Sequence, residues 1–225
     1  MALARVLEPE VMDSADDALD YDRMDHAAVN RQFVDDLLAA ATAAGVEIDE
    51  SSEILDLGTG TAQIPVELLS RRPKWRVRAV DLAESMMELG RQNVAAAGFS
   101  DRIRLARVDA KRLPYPAGRY ALVMSNSIVH HIPEPRDVLA EACRVLRPGG
   151  LLFIRDLLRP ADDAAVRSLV ATYAADCNDH QRQLFDDSLR AALNLDEVRR
   201  LVAELGHDPL GVNQTSDRHW TWTAS

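Results

Sequence analysis

The sequence predicts an α/β fold, a doubly wound and mostly parallel sheet. Short apolar runs alternate with stretches of helical periodicity, the pattern of parallel strands joined by crossover helices. The run Glu53-Ile54-Leu55-Asp56-Leu57 leads into the turn Gly58-Thr59-Gly60 and then a helix starting near Ala62. Later runs close on Asp81, Asp109 and Asn126, where strand ends in such a sheet border a ligand crevice.

Residues 1–50 read as an acidic N-terminal helical cap. Leu7-Glu8-Pro9-Glu10 looks irregular. Asp13, Asp16, Asp17, Asp20, Asp22 and Asp25 crowd around Tyr21 and Met24, and a helix follows with Val29, Phe33, Leu37 and Leu38 on one side. After the first strand, Trp75-Arg76-Val77-Arg78-Ala79-Val80-Asp81 is the second. Residues 102–108, with Ile103, Leu105 and Val108, are the third, and Tyr120-Ala121-Leu122-Val123-Met124-Ser125-Asn126 the fourth. Helical patterns fill 85–97 and 135–146. The turn Arg147-Pro148-Gly149-Gly150 leads into a fifth strand, Leu151-Leu152-Phe153-Ile154-Arg155-Asp156. Two helices are expected as an insertion at about 161–193. Asn194 is placed to cap a helix with Val198, Leu201, Val202 and Leu205 on one face, ended by Gly206. Residues 209–215 and 218–223 alternate and are expected as the last two strands, making seven, joined by Thr215-Ser216-Asp217. No internal repeat or low-complexity tract interrupts this order.

The glycine turn carries the functional signal. Glycine lets backbone approach a ligand closely, and the helix behind the turn points free N–H groups at whatever binds there. A nucleotide-like cofactor is the expected ligand. The dinucleotide fingerprint wants a third glycine, replaced here around Gln63, while Asp81 stands roughly the ~20 residues on expected of a ribose-binding carboxylate. Asp56, two residues before Gly58, would repel a pyrophosphate and suits a cofactor with cationic groups, such as the ammonium and sulfonium of S-adenosylmethionine.

Composition narrows the partners. The chain has 225 residues, 47% of them hydrophobic, enough for one domain with a proper core. Lys+Arg number 26 against 36 Asp+Glu, a net charge of −10, which speaks against a nucleic-acid substrate. The basic clusters Arg71-Arg72-Pro73-Lys74 and Arg199-Arg200 read as solvated surface. No run reaches the ~18 apolar residues of a membrane span, and no signal-peptide pattern leads the chain, so the cytoplasm is the expected compartment. Cys143 and Cys177 suggest no disulfide framework and lie in no metal-binding spacing, so no metal site is expected.

Taken together, Ile54-Leu55-Asp56-Leu57-Gly58-Thr59-Gly60, Val80-Asp81, Val108-Asp109-Ala110, Tyr120-Ala121-Leu122-Val123 and Leu146-Arg147-Pro148-Gly149-Gly150 resemble class I S-adenosylmethionine-dependent methyltransferases, closest in look to the small-molecule and quinone subgroup. The match is close over about residues 50–156. The resemblance implies a methyltransferase domain over 51–225, a Rossmann-like sheet with an antiparallel C-terminal hairpin, and S-adenosyl-L-methionine as cofactor. It implies that Asp56 and the turn of Gly58, Thr59, Gly60 and Gln63 hold the methionine end. Asp81 would take the ribose hydroxyls, Leu82 and Met86 would flank the adenine, Asp109 and the Ala110 N–H would meet its edge, and Asn126 would line the methionine moiety. Core packing is the rival reading of Leu82 and Met86. Tyr21, on an N-terminal lid, would touch the methionine end; a helix that merely covers the sheet is the alternative.

Methyl transfer needs alignment, exclusion of water and sometimes removal of a proton. His130 and His131, in the loop after the fourth strand, are candidate bases. Asp156, ending the fifth strand, is a candidate substrate contact, with capping of the next turn as its rival role. Arg155 reads as structural, and Arg218 and His219 could reach the same mouth. The expected function is methylation of a small-molecule acceptor. A non-catalytic S-adenosylmethionine-binding protein and a nicotinamide-dependent oxidoreductase stand as alternatives.

Overall fold

The computed structural model describes residues 3–11, 13–24 and 26–225. Asp25, counted above among the acids of the N-terminal segment, lies outside them. The elements run α1 (Ala15–Arg23), α2 (Ala27–Ala43), β1 (Glu53–Leu57), α3 (Gln63–Arg71), β2 (Arg76–Asp81), α4 (Glu84–Ala96), β3 (Ile103–Arg107), β4 (Tyr120–Asn126), α5 (Arg136–Val145), β5 (Leu146–Leu157), α6 (Asp163–Tyr173), α7 (Asp179–Ala191), α8 (Leu195–Glu204), β6 (Val212–Gln214) and β7 (His219–Ala224). Among the described residues the strands form one seven-stranded sheet in the order β3-β2-β1-β4-β5-β7-β6. The pairs among β1 to β5 are parallel, and β7 runs antiparallel to both β5 and β6. Among the described residues no helix is long and apolar enough to cross a membrane.

Side chains alternate across this sheet and build a core on each face. Leu55, Leu57, Val123, Leu152 and Ile154 pack with α5 and α8 through Val138, Leu139, Val198 and Val202. Ile54, Leu122, Met124, Leu151 and Phe153 pack on the other face with Phe33, Val34 and Leu37 of α2 and Leu68 and Leu69 of α3. The N-terminal region therefore divides. Helix α2 is a sheet-covering helix, whereas α1 packs through Ala18 and Tyr21 against Ala83 and Met86 beside the glycine turn.

Two strand boundaries differ from the sequence reading. The turn expected at 147–150 lies within β5, where pairing jumps from Tyr120↔Leu146 to Leu122↔Leu151 and Gly149 takes a φ of 68°. The strand expected over 209–215 shortens to Val212–Gln214, because Pro209 has no N–H to give a ladder and starts a 3₁₀ turn capped by Asp208. Helix α8 starts as expected: Asn194 and Glu197 form a reciprocal capping box. Residues 161–193, expected as a two-helix insertion, hold α6 and α7, the latter opened by a second capping box at Asn178 and Gln181.

Candidate active site

A cavity of about 430 Å³ opens at the carboxyl ends of β1, β2 and β4. This is where the strand order reverses between β1 and β4, the usual crevice of an open α/β sheet. Its far wall comes from α7 and the β6–β7 hairpin, and the N-terminal segment crosses its mouth.

One half of the cavity is built on the glycine turn. Gly58 and Gly60 hold φ of 68° and 54°, a region that favours glycine. A Cβ on Gly58 would also stand 2.7 Å from Ile128. Asp81 at the end of β2 accepts the Gly60 N–H at 2.8 Å and the Ala83 N–H at 2.9 Å, which leaves further acceptor capacity on each oxygen. Asp56 is buried on the face of Ile54 and lines the cavity, and its Oδ2 has no hydrogen-bond partner. Burial pushes its carboxyl up to about 7; the Thr59 side chain opposes the shift and Asp81 adds to it. Burial also raises Asp81, against the pull of its backbone N–H donors. Tyr21 stands over the turn, its ring 3.9 Å from where a Gly60 Cβ would lie. Its hydroxyl is pushed up to about 12 by burial and by Asp81, Asp22 and Asp56.

Leu82, Met86, Asp109, Ala110 and Asn126 line the same cavity. Met86 and Ala110 also belong to the core clusters, so cavity wall and core packing are one role for them. Asp109 accepts the Lys111 N–H at 2.9 Å. Asn126 presents a buried, unpartnered Oδ1. Gln63 lines the cavity, but its amide donates to Asp22 at 3.1 Å and accepts from Asn30 at 3.2 Å, tying the turn to α1 and α2.

The other half centres on the 3₁₀ turn of Val129, His130 and His131. Asp156 is not a cavity contact, contrary to the expectation of a substrate-touching group. It is fully buried behind the turn, where Oδ2 accepts the Val129 N–H at 2.6 Å and Oδ1 lies 2.5 Å from His130 Nδ1. Its side chain therefore orients His130 and holds the turn after β4, not the turn after its own strand. Burial alone would lower the His130 imidazole, yet Asp156, with Glu8 beyond, holds it above its ordinary value. Adjacent histidines ordinarily diverge, but the tight turn brings these rings to 4.1 Å between centroids. Both reach Glu8: Oε1 lies 3.0 Å from His131 Nδ1 and 3.5 Å from His130 Nε2.

Sequence reasoning left Glu8 in an irregular stretch. It is delivered by an extended N-terminal segment anchored through Arg5, whose guanidinium donates to the carbonyls of Ala191, His130, Ile132 and Pro133. Ser188 of α7 donates to Glu8 Oε2 at 3.1 Å. No local pattern marks Glu8, since its partners come from distant segments. Arg218 and His219 line the far end of the cavity, Arg218 stacked 3.4 Å over the Tyr173 ring. Burial pushes His219 down to about 4. Arg155 is structural, donating to Asp36 and Thr221 on the face of the sheet that α2 covers.

Residues 54–150 match the methyltransferase domain family. The chain is 28% identical over 175 residues to 27-O-demethylrifamycin SV methyltransferase of Amycolatopsis mediterranei, covering 76% of this chain and 60% of that one. It is 38% identical over 108 residues to the ubiquinone/menaquinone biosynthesis C-methyltransferase of Paracoccus denitrificans, covering 47% and 42%. This chain thus spans three-fifths or less of the length of those relatives. A crystal structure of an S-adenosylmethionine-dependent methyltransferase from Aquifex aeolicus shares the fold, with a TM-score of 0.67 at 17% identity over 94% of this chain and 97% of that one. The motif order, the sheet and these relatives together make this a class I methyltransferase domain.

Proposed function

We propose that the chain transfers a methyl group from S-adenosyl-L-methionine to a small-molecule acceptor by in-line displacement. The observation that carries this reading is one cavity with two chemically different ends. At one end lies a buried carboxylate, Asp56, with an orphaned oxygen beside a glycine turn. That group fits an ammonium, and Asp81, whose oxygens keep free lone pairs, fits ribose hydroxyls. At the other end lie His130 and His131, backed by Glu8, the groups suited to drawing a proton from a nucleophile. The sulfonium supplies the methyl group and the leaving group. The protein aligns the acceptor, excludes water and manages its proton.

The walls around the acceptor end, Ile132, Leu157, Leu184 and Phe185, suit an apolar body, and Ser188, Arg218 and His219 suit a polar handle on it. Residues 1–50 would close the cofactor end and 161–193 the acceptor end. A nicotinamide cofactor is the poorer fit, since the buried Asp56 would face its pyrophosphate. Incubation with methyl-labelled S-adenosylmethionine and fractionated metabolites tests the proposal. Label in a small molecule, with stoichiometric S-adenosylhomocysteine, is the expected result. Tight cofactor binding without transfer to any fraction would favour the sensor instead.

A further inference from the structure

Glu8, His130 and His131 form a second constellation at the cavity wall: the two histidines line the cavity and Glu8 lies against them. One carboxylate oxygen and two imidazole nitrogens lie within 4.8 Å of one another. Glu8 is nine-tenths buried, with 8% of its side chain exposed. Its Oε1 and His131 Nδ1 stand only 3.0 Å apart, yet neither makes a well-directed hydrogen bond, and both are sealed from solvent. The contact is close enough for an ion pair yet leaves a lone pair on each atom for a third partner.

The spacing fits a metal ion as that partner. Ligands about 2.0–2.1 Å from a tetrahedral zinc stand about 3.3–3.4 Å from each other, and those at right angles around an octahedral ion about 3.0 Å. The observed separations from Glu8 Oε1 are 3.0 Å and 3.5 Å. A second feature points the same way. His130 is held through Nδ1 by Asp156 at 2.5 Å, which leaves Nε2 facing Glu8. A carboxylate behind a ligating histidine is the common outer support of a metal site, fixing the tautomer and the ring direction. Arg5, which holds Glu8's segment in place, directs its guanidinium at carbonyls and does not compete for the carboxylate.

We propose that Glu8, His130 and His131 bind a divalent transition-metal ion of the zinc class at the cavity wall that the two histidines line. Two nitrogens and one carboxylate suit zinc, cobalt or iron(II); magnesium and calcium prefer all-oxygen sets. The role of such an ion rests on the methyltransferase reading: with the ion bound, these three side chains would hold it instead of taking the proton themselves, and an acceptor hydroxyl or thiol bound to it would release its proton to water more readily. The binding site itself does not depend on that reading.

Cobalt(II) titration of chelator-treated protein tests it. The expected result is one cobalt per chain, with visible d–d absorption, displaced by zinc and indifferent to millimolar magnesium. E8Q and H131A should each weaken cobalt binding at least tenfold, and D156N by about 10–100-fold. S-adenosylhomocysteine affinity, measured on the same samples by calorimetry, should survive in E8Q and shows that the variant is folded. Wild-type protein that binds S-adenosylhomocysteine but no cobalt at about 100 µM, far above the range expected of a zinc-class site, would overturn the proposal, as would E8Q binding cobalt like wild type. Cobalt binding without cofactor binding would keep the metal site and remove the methyltransferase reading.

Discussion

Replacing Asp56 by Asn should stabilise the free protein above neutral pH and weaken its hold on cofactor. The side chain is 2% exposed, and burial pushes its carboxyl from the ordinary carboxylate range to about 7. Between about pH 4 and 7 the folded chain therefore holds a proton that the unfolded chain has released. Stability falls as pH rises through that window and levels off above it. A carboxyl raised from about 4 to about 7 costs about 4 kcal/mol at pH 8, so Asp56→Asn should recover up to about 4 kcal/mol there and almost nothing near pH 4. Binding runs the other way, because only the ionised carboxylate pairs with the methionine ammonium. Wild-type affinity for S-adenosylhomocysteine should rise about eightfold from pH 6 to pH 7.5, as the ionised fraction climbs from about one-tenth to about three-quarters. The profile of the Asp56→Asn variant should be flat and its affinity at pH 7.5 lower by about 1.5–3 kcal/mol. Denaturant unfolding at pH 5 and 8, with calorimetry at pH 6 and 7.5, measures both. Equal stability gains at the two unfolding pH values, or a pH-independent wild-type affinity, would refute the argument.

Three further outcomes are expected. Asp81→Ala should weaken S-adenosylmethionine binding by about 1.5–3 kcal/mol in calorimetry, and unchanged affinity in a folded variant would remove the ribose assignment. His130→Ala and His131→Ala should each lose about 10²–10⁴-fold in methyl-transfer rate while still binding cofactor; single-turnover label transfer beside a binding isotherm separates the two effects. Cofactor should slow hydrogen exchange in 10–30, the segment carrying Tyr21, and equal protection with and without cofactor would show that the segment is a permanent cover rather than a lid.

The cofactor cradle was legible because its determinants are local. Apolar runs mark β1, β2 and β4, and a glycine turn after an apolar run declares its backbone geometry at once. Asn194 with Glu197 announces a helix start within four residues. What the sequence hid depends on distant partners. Asp156 reads as a strand-end acid until the register Asn126↔Arg155 sets it behind the turn that carries His130. Glu8 is invisible as a functional group until its segment docks on α7 and on the turn of His130. Gln63 looks like a cofactor contact by its place in the glycine turn, yet Asp22 and Asn30 claim its amide.

These differences separate two kinds of site within one cavity. The proposed cofactor end rests on the sheet: Asp56, Gly60 and Asp81 are fixed by β1, β2 and the hydrogen bond between Gly60 and Asp81. The proposed acceptor end is assembled from outside the parallel core of the sheet. Glu8 arrives on an N-terminal segment held by Arg5 at one end and by the Lys111–Glu10 and Asp13–Ser85 contacts further along. Ser188 arrives on α7, and Arg218 and His219 on the hairpin. The same segment continues into α1, whose Asp22 bonds to Gln63 and Asn93 around the glycine turn. Docking of one stretch of chain thus sets Glu8 beside the histidines and Tyr21 over the glycine turn together.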